Sequence, residues 1–389
     1  MKKTLVAIAA FAALGAQAQS SVSITGLIDM GAQRLDVKGK GVTNAGAANG
    51  SATSAIVIGG TEDMGGGLTA AFRWEIDPDL ANTVAKTAGT PATGTTSNVT
   101  SFLSNGYSFL GLKSATAGEV QFGTLNYATL YANGDGNSGF GTAIGSGYRV
   151  TSFDAVRGQN GASYETPSFM GLTAKAVVIA KNAVQSGGAA TGNAVNQQNG
   201  RDGAQEISLA YANGPLTARY ADLKMTQDAG YNNGSTTVVA GPGGQFNLKT
   251  LSATYAIGAG SIGYFNQRVS SDVIKQAGST TAAALNSQYD RKTNGISGKY
   301  AVTPTTTLMA NYQKVTIGTE AAVATVATVN GASTTVVGLG VDYALSKRTT
   351  AYFRTEKDKD DAIVRAVTGY GTNAAGTYKA TAIGIRHTF

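Results

Sequence analysis

Several residue types that build active sites and small scaffolds are missing or scarce in this chain. The 389 residues include no cysteine, so disulfide bridges and cysteine-based metal sites are excluded. A single histidine, His387, makes histidine-based zinc sites and Ser-His-Asp chemistry unexpected. Paired carboxylates can hydrolyse glycosides, but nothing else in the sequence supports such a site. We therefore expect neither an enzyme nor a bound metal or cofactor.

Long hydrophobic runs are also missing after the first residues. A lysine pair at positions 2 and 3, an apolar run from Leu5 to Leu14 and a small-x-small triplet ending at Ala18 predict a cleavable signal peptide over residues 1–18. Its removal lowers Lys+Arg from 30 to 28 and the formal net charge from +7 to +5. No later run reaches the roughly 18 residues of a membrane helix. If the mature chain enters a membrane, it must therefore cross with strands.

What the sequence has in abundance is alternation. In residues 68–77 the even positions, among them Phe72 and Trp74, are apolar, whereas the odd positions include Arg73 and Glu75. Residues 377–389 show the same period of two. The chain contains sixteen such segments, joined alternately by tight turns and by long connections rich in Gly, Asn, Ala, Thr and Ser. An apolar face opposite a charged or small one is typical of strands that cross an outer membrane.

This pattern predicts an all-β fold over residues 19–389, a 16-stranded antiparallel transmembrane β-barrel with long extracellular loops and short periplasmic turns. A closed barrel satisfies every backbone group inside lipid, and sixteen strands leave a water-filled lumen. We expect no helix longer than a loop turn. The predicted long connections are residues 35–50, 78–103, 126–159, 182–203, 225–248, 271–291, 317–332 and 359–377.

Five stretches spread over the whole chain resemble the trimeric Gram-negative porins, particularly their anion-preferring branch. They are residues 19–29, 60–68, 109–113, 345–349 and 384–389, with the sequences QSSVSITGLID, GTEDMGGGL, FLGLK, LSKRT and GIRHTF. The resemblance implies a homotrimer in the outer membrane, in contact with membrane lipid and lipopolysaccharide. It also implies one pore per subunit, open to small hydrophilic solutes and inorganic ions, with the third long connection folded into the lumen.

The chain departs from that branch at several positions. Ala55 and Gly59 stand where the second strand often carries inward arginines, and Thr124 stands where a basic residue is common. The third connection has Ser138-Gly139-Phe140-Gly141 in place of the frequent Pro-Glu-Phe-Gly tip. We therefore expect only a mild anion preference.

Charged side chains at inward strand positions and on the third connection are the candidate pore-lining and constriction residues. They are Arg73, Glu75, Asp135, Arg149, Asp154, Arg157, Lys175, Arg219 and Arg354. The basic members on strands should project into the lumen near mid-height, and the acidic members would create a transverse field across the narrowest section. Arg149 and Arg157 either line the pore or pin the third connection to the wall. The plainer interpretation of Arg73, Lys175, Arg219 and Arg354 is the solvation of a wide wall.

The predicted function is passive diffusion through a water-filled outer-membrane channel with mild anion preference. One alternative is a substrate-selective channel with a solute site at the third connection. Another is a surface adhesin or antigen whose long connections carry the function. Nucleic-acid binding is not expected, because the basic residues form no cluster in the sequence. A soluble β-solenoid would need a short regular repeat, which the sequence lacks.

Overall fold

The computed structural model describes residues 21–37, 40–78, 106–148, 156–180, 203–227, 244–271, 291–317, 333–359 and 378–389. The described residues form one sheet of seventeen strands, with one helix inside it. The strands are β1 Ser21–Val37, β2 Lys40–Ala48, β3 Ala55–Asp63, β4 Leu68–Ile76, β5 Ser108–Ser114, β6 Gly118–Asn126, β7 Arg157–Glu165, β8 Leu172–Ile179, β9 Ala204–Asn213, β10 Leu216–Gln227, β11 Gly244–Ile257, β12 Gly260–Ser271, β13 Arg291–Ala301, β14 Thr306–Ile317, β15 Ser333–Ala344, β16 Thr349–Lys359 and β17 Tyr378–Thr388. The helix, α1, is Ala128–Gly136.

The sheet closes on itself through its first and last strands. Residues Leu27 to Val37 of β1 pair with β17, so no edge remains open between the ends of the sheet. On the other side of β1, residues 21–27 pair with β3 and residues 30–37 pair with β2. Strands β2 and β3 therefore share one position around the barrel. The result is the predicted closed antiparallel barrel of sixteen positions.

The first predicted long connection, residues 35–50, is wrong. The alternation of β1 continues to Val37, and the chain returns at once through β2 as an extension of the first hairpin. The irregular part is residues 49–54, held by the carboxylate of Asp29. Its Oδ2 accepts hydrogen bonds from the amides of Ser51 and Ala52 at 2.8 and 2.7 Å. Asp29 has inward parity on β1, so this short segment is tied to the lumen wall.

Successive side chains on the strands point alternately into lipid and into the barrel. The outward positions are large and apolar, and they are exposed because no described residue covers them: Ile24 is 65% exposed and Ile383 61%. The inward neighbours are small or polar, such as Ala382 beside Ile383. Arg73 and Ile385 face different environments, since Arg73 contacts the inward Glu75 whereas Ile385 lies on the outer surface. This separation is what a membrane-spanning barrel with an aqueous interior requires.

Tight turns join the strands at one end of the barrel. Strands β9 and β10 are joined by Gly214 and Pro215, and Gly214 has a φ of 57°. That left-handed conformation costs glycine nothing and suits a short hairpin. Every predicted short turn is present, and the described parts of the long connections all leave the opposite end.

The third long connection, between β6 and β7, folds into the barrel. We call residues 127–156 the inner loop; its described part runs to residue 148 and resumes at 156. Its first part forms α1, so the expectation of no helix longer than a loop turn is wrong. Within the described residues no helix is long and apolar enough to cross a membrane.

Two apolar clusters hold the start of the inner loop and the region of residue 144 against the inside wall. At its start, Leu125 and Tyr127 pack on a group that includes Val177, Leu223 and Leu248 of β8, β10 and β11. Near residue 144, Ile144 packs on Val336 and on residues of β16 and β17. The inner loop therefore follows the wall from β8 round to β17, and the lumen is narrowed from that side.

Candidate constriction of the lumen

The first turn of α1 is fixed by a carboxylate from the barrel wall. Glu206 on β9 is 1% exposed and accepts hydrogen bonds from the amides of Ala128 and Thr129, at 2.5 and 3.0 Å, and from the Thr129 hydroxyl at 2.9 Å. The residue before the helix, Tyr127, makes no side-chain cap. Glu206 thus satisfies the free amides of the helix start and places negative charge at the positive end of the helix dipole.

The middle of the inner loop is held by hydroxyl and amide side chains of four successive strands. Thr254 on β11 donates to the Asp135 carbonyl at 2.6 Å, and Ser297 on β13 donates to the Gly136 carbonyl at 2.9 Å. Ser138 bonds Ser261 on β12, and Gln313 on β14 bonds Asn137. Each of the four strands contributes an inward polar side chain that contacts residues 135–138, so this part of the loop lies along the wall rather than across the open lumen.

A second buried carboxylate holds the far part of the inner loop. Glu356 on β16 accepts hydrogen bonds from the amides of Gly145 and Gly147, at 2.8 and 3.1 Å. The adjacent strand has Gly338 at the point of contact, where an added Cβ would collide with the Gly145 carbonyl. The backbone of the inner loop therefore rests directly on the backbone of β15.

On the inner side of the wall that runs from β4 to β7, four charged residues form a linked group, the β4 cluster: Arg73, Glu75, Asp77 and Arg157. The Arg73 Nε donates to Glu75 Oε2 at 3.1 Å, and the Arg157 Nη1 lies 3.1 Å from Asp77 Oδ2 and 4.0 Å from Glu75 Oε1. The Arg73 guanidinium also stacks on the Tyr107 ring at 5.6 Å. In this arrangement Arg73 lies on the inner face of β4, and Arg157 links the descending end of the inner loop to the wall.

Asp77 lies just beyond the last residue of β4 and was not among the sequence candidates. Burial raises the pKa of Asp77 to about 6, and the neighbouring Arg157 guanidinium opposes this rise. The β4 cluster holds two guanidinium groups and two carboxylates, so its formal charge is zero when Asp77 is ionised. It becomes positive when Asp77 takes up a proton.

On the other side of α1, Arg219 and Lys175 are paired with carboxylates. Arg219 on β10 donates from Nε to Asp135 Oδ2 of α1 at 3.0 Å and stacks on the Tyr131 ring at 5.5 Å. Lys175 on β8 lies 4.0 Å from Glu165. Burial raises the pKa of Tyr131, so its hydroxyl stays protonated and uncharged at neutral pH. The local field is therefore set by the two charged pairs and by neighbouring dipoles.

Arg354 occupies a different place from the one predicted. Its side chain points inward from β16 but is 0% exposed, because Phe140 of the inner loop covers it. Its guanidinium pairs with Asp342 at 2.7 Å, and Asp342 also pairs with Arg386 at 2.8 Å. Arg354 therefore lies behind the inner loop and not on the surface of the open lumen. Sequence parity identified the face but could not show that a distant segment covers it.

Two further candidates, Arg149 and Asp154, lie outside the described residues. Among the described residues no group of three or more His, Asp or Glu side chains is arranged to hold a metal ion. The structure brings Arg73, Glu75 and Arg157 together, and it brings Arg219 together with Asp135. Lys175 lies on the same wall as Arg219, and a recess of about 50 Å³ lies between them. The described charges thus line two sides of the space beside α1.

Water reaches the two partners of these pairs unequally. In the β4 cluster the Arg73 side chain is 35% exposed and Glu75 11%, so the guanidinium covers the carboxylate. In the pair on α1 the order is reversed, since Asp135 is 45% exposed and Arg219 27%. One side of the space therefore presents positive charge to water and the other negative charge. A transverse field of this kind is possible only while the inner loop keeps its position.

A family comparison accounts for this architecture. The model of the Gram-negative porin family matches residues 4–362 of the chain. The chain belongs to the Gram-negative porins. This porin is accordingly an outer-membrane channel, and small hydrophilic solutes and ions pass through it by diffusion.

Individual relatives agree with this assignment. An outer membrane porin protein of Bordetella pertussis is 29% identical over 298 residues, which cover 68% of this porin and 71% of the relative. Outer membrane porin protein 32 of Delftia acidovorans is 43% identical over 74 residues, covering 18% and 21% of the two chains. The structure of an anion-selective porin from Comamonas acidovorans is similar in fold, with a TM-score of 0.66 and 22% identity over 95% of this porin and 100% of that chain.

The residues that position the inner loop of this porin were missed by sequence reasoning. Glu206 and Glu356 have inward parity, and a residue that is merely solvated in the lumen would have the same parity. A weak signal existed in Glu356, which lies two residues from Arg354 on the inward face of the same strand. No sequence pattern linked either carboxylate to loop amides more than seventy residues away.

Proposed function

We propose that this porin is a general diffusion channel with a mild preference for anions, set at the constriction between the inner loop and the β4 cluster. The observation that carries the proposal is the order of exposure in that cluster. The Arg73 guanidinium meets water while its partner carboxylate lies behind it. An ion in the lumen therefore approaches a positive charge first on this side.

The carboxylates that hold the inner loop are also compatible with a preference for anions. Glu206 and Glu356 are each 1% exposed, and their oxygens accept hydrogen bonds from loop amides. They are turned away from the water through which an ion moves, so their field at the ion is weaker than that of an exposed group. The anion-selective porin of similar fold, from Comamonas acidovorans, is consistent with this direction.

The preference is mild because opposing charges are exposed on the other side. Asp135 and Glu165 are each 45% exposed in their pairs with Arg219 and Lys175. These carboxylates attract cations along the side of the lumen formed by α1 and β7. The two sides partly cancel in their effect on net selectivity, although they still orient a solute that carries a dipole.

The assembly and lipid contacts expected from the resemblance are part of the proposal. We propose that three copies associate, each with its own pore, and that the outer surface contacts lipopolysaccharide. Of the two alternative functions, a solute-selective channel would depend on the inner loop, whereas an adhesin would depend largely on long connections that lie outside the described residues.

The test is ion selectivity in planar bilayers. Wild-type protein should insert with conductance steps in groups of three, and its reversal potential across a KCl gradient should show a small anion preference. An ion about 5 Å from the Arg73 guanidinium in water gains about 0.8 kcal/mol, and salt screens part of this. Arg73→Ala should therefore lower the anion-to-cation permeability ratio by about two- to fourfold.

Two matched variants control this test. Arg73→Lys keeps the charge and should retain most of the preference. Lys347→Ala removes one cation from the exposed short turn between β15 and β16, outside the constriction, and should leave the ratio unchanged. If Arg73→Ala and Lys347→Ala have the same reversal potential as wild type, the β4 cluster does not set selectivity. Failure of all refolded samples to conduct would contradict the channel itself.

A further inference from the structure

A recess of about 50 Å³ lies between α1 and the inside of the barrel wall, and we call it the α1 recess. Its polar lining comes from α1 and from five successive strands, β6 to β10, and includes Asn126, Tyr131, Glu165, Lys175, Ser208 and Arg219. A single water needs about 10–15 Å³ of such space. The α1 recess therefore has room for the charged head of a small solute but not for a large solute as a whole.

Lys175 gives the α1 recess a charge whose hydrogen bonds are unused. Its side chain is 17% exposed, and the carboxylate oxygen of Glu165 lies 4.0 Å from its ammonium nitrogen. Hydrogen bonds between charged groups are about 2.7–2.9 Å long, so this pair attracts only through its charges. Among the described residues the ammonium donates to no acceptor, although it carries three N–H groups. Because a covered charge is costly without hydrogen bonds, Lys175 suits an anionic group that enters the recess.

Arg219 adds a second cation with donors to spare. Its Nε donates to Asp135 Oδ2 at 3.0 Å, and its guanidinium lies 5.5 Å from the centre of the Tyr131 ring. In the described part of the chain its two terminal NH₂ groups donate to no acceptor. A guanidinium binds a carboxylate well because its N–H groups match the spacing of the two oxygens. The cationic side of the α1 recess is therefore suited to a carboxylate.

The same recess also presents acceptors that lack donors. Asn126 is 8% exposed, and its amide NH₂ group donates to the Tyr131 hydroxyl at 3.0 Å. Its carbonyl oxygen, Oδ1, is buried and has no donor among the described residues, which is unfavourable. The Glu165 carboxylate likewise accepts no hydrogen bond from a described residue. This side of the recess suits a donor, and Glu165 favours a donor with positive charge.

The charges in and beside the α1 recess balance. Lys175 and Arg219 carry two positive charges, and their partners Glu165 and Asp135 carry two negative charges. A simple anion drawn to Lys175 is repelled by Glu165, whose carboxylate lies 4.0 Å from that ammonium, and a simple cation meets the reverse. A solute that carries both charges avoids either repulsion when it is correctly oriented.

We propose that the α1 recess binds the zwitterionic head of free α-amino acids, with the carboxylate on Lys175 and Arg219 and the ammonium beside Glu165 and Asn126. The side chain of the amino acid stays in the lumen, because the recess has room for the head only. One bound head uses the free donors of Lys175 and supplies a donor to the acceptors opposite. This inference rests on the proposed function only in requiring an open, water-filled lumen, and it adds a class of solute to the channel.

Saturation-transfer NMR on the detergent-solubilised protein measures this binding without relying on conductance. The probes are L-alanine, L-lactate and L-alaninamide, which are nearly equal in size. Lactate lacks the ammonium, and alaninamide lacks the carboxylate. Alanine should bind saturably, whereas lactate and alaninamide should each bind about tenfold more weakly, because each loses one charge-assisted contact.

Two variants test the two sides of the recess. Lys175→Met removes the charge and keeps a long side chain, so it should weaken alanine binding about tenfold. Glu165→Gln should also weaken alanine binding, but it should bind lactate about fivefold more tightly than wild type, because the charge that repels lactate at about 4 Å is gone. A merely structural role of Glu165 would not produce this gain.

Lys299→Met is the matched control. Lys299 is an exposed cation with inward parity on β13, where its Cβ lies beside Gly139 of the inner loop and outside the α1 recess. This variant should bind alanine like wild type. The control separates the loss of one particular contact from the loss of any positive charge in the lumen.

The reversal potential in the absence of alanine tests the anion preference of the channel, so the channel proposal and the binding proposal can fail separately. Wild type that shows no saturable binding of alanine, or equal affinity for alanine, lactate and alaninamide, would overturn the binding proposal. So would wild-type affinity for alanine in Lys175→Met, or an equal loss of affinity in Lys299→Met. Unchanged lactate binding in Glu165→Gln would contradict the position of the ammonium beside Glu165.

Discussion

Replacing Glu206 by glutamine removes one negative charge from the contact that fixes the start of the inner loop. The substitution keeps the size of the side chain, so the barrel wall is preserved. Glu206 accepts three hydrogen bonds, from two amides and one hydroxyl, within 2.5–3.0 Å. A glutamine offers one carbonyl oxygen and turns its NH₂ group toward donors, which leaves at least one buried amide without a partner.

The expected magnitude follows from these contacts. A hydrogen bond to a charged group contributes about 1.5–3 kcal/mol, and an unsatisfied buried donor costs about 1–3 kcal/mol. We expect docking of the first turn of α1 to weaken by about 3 kcal/mol, which is roughly a 150-fold change in the local opening equilibrium. Glu356 and the middle contacts remain, so the far part of the inner loop should stay in place.

Hydrogen exchange and single-channel recording check this prediction. Amides of residues 128–131 should exchange about 100-fold faster in Glu206→Gln, whereas Gly145 and Gly147 should keep their protection. The open channel should become noisier and close at lower voltage. Glu165→Gln is the control, because this inward carboxylate on β7 is 45% exposed and bonds no loop amide that the structure describes. If both variants show the protection and noise of wild type, Glu206 does not hold the loop.

Two further predictions concern pH and the contact with β15. Because the pKa of Asp77 is raised to about 6, lowering the pH from 7.5 to 5 should protonate it and leave the β4 cluster with net positive charge. The reversal potential should then move toward stronger anion preference. Asp77→Asn should show this stronger preference at both pH values. If the reversal potential of that variant shifts between pH 7.5 and 5 as much as that of wild type, Asp77 is not the titrating group. Gly338→Val should displace the inner loop from β15 and alter conductance by more than Gly298→Val, whose Cβ position meets only a carbonyl 3.5 Å away.

The barrel could be predicted from the sequence because lipid constrains every second residue. An outward Phe72 or Ile383 must be apolar whatever else the chain does, so the period of two survives in all sixteen segments. The exception is informative. In β2 the sequence reads KGVTNAGAA, without large apolar residues, and its composition is that of a loop. It forms a strand because β1 offers an adjacent edge, which is a tertiary effect.

The constriction was harder to predict because inward residues face no comparable constraint. Arg73 solvates the lumen, Arg354 is buried under Phe140, and Glu206 caps a helix, yet all three have the same parity on their strands. Their roles differ only through what the inner loop places over them. A loop of this length has no periodic pattern from which its path could be predicted, so its contacts are visible only in the structure.

The inner loop is held by buried carboxylates for a reason that follows from where it lies. Its backbone amides are removed from water when it docks, and each needs an acceptor. An apolar wall would provide none, and it would expose hydrophobic surface to the lumen whenever the loop moved. Glu206 and Glu356 meet both requirements, since they satisfy two amides each when the loop is docked and are hydrated when it is not. Apolar packing is then confined to places that the loop covers completely, such as Ile144 on Val336. Because carboxylates hold the loop, loop position is also linked to selectivity. Any change that frees the loop would expose two additional negative charges to the lumen and shift the preference toward cations.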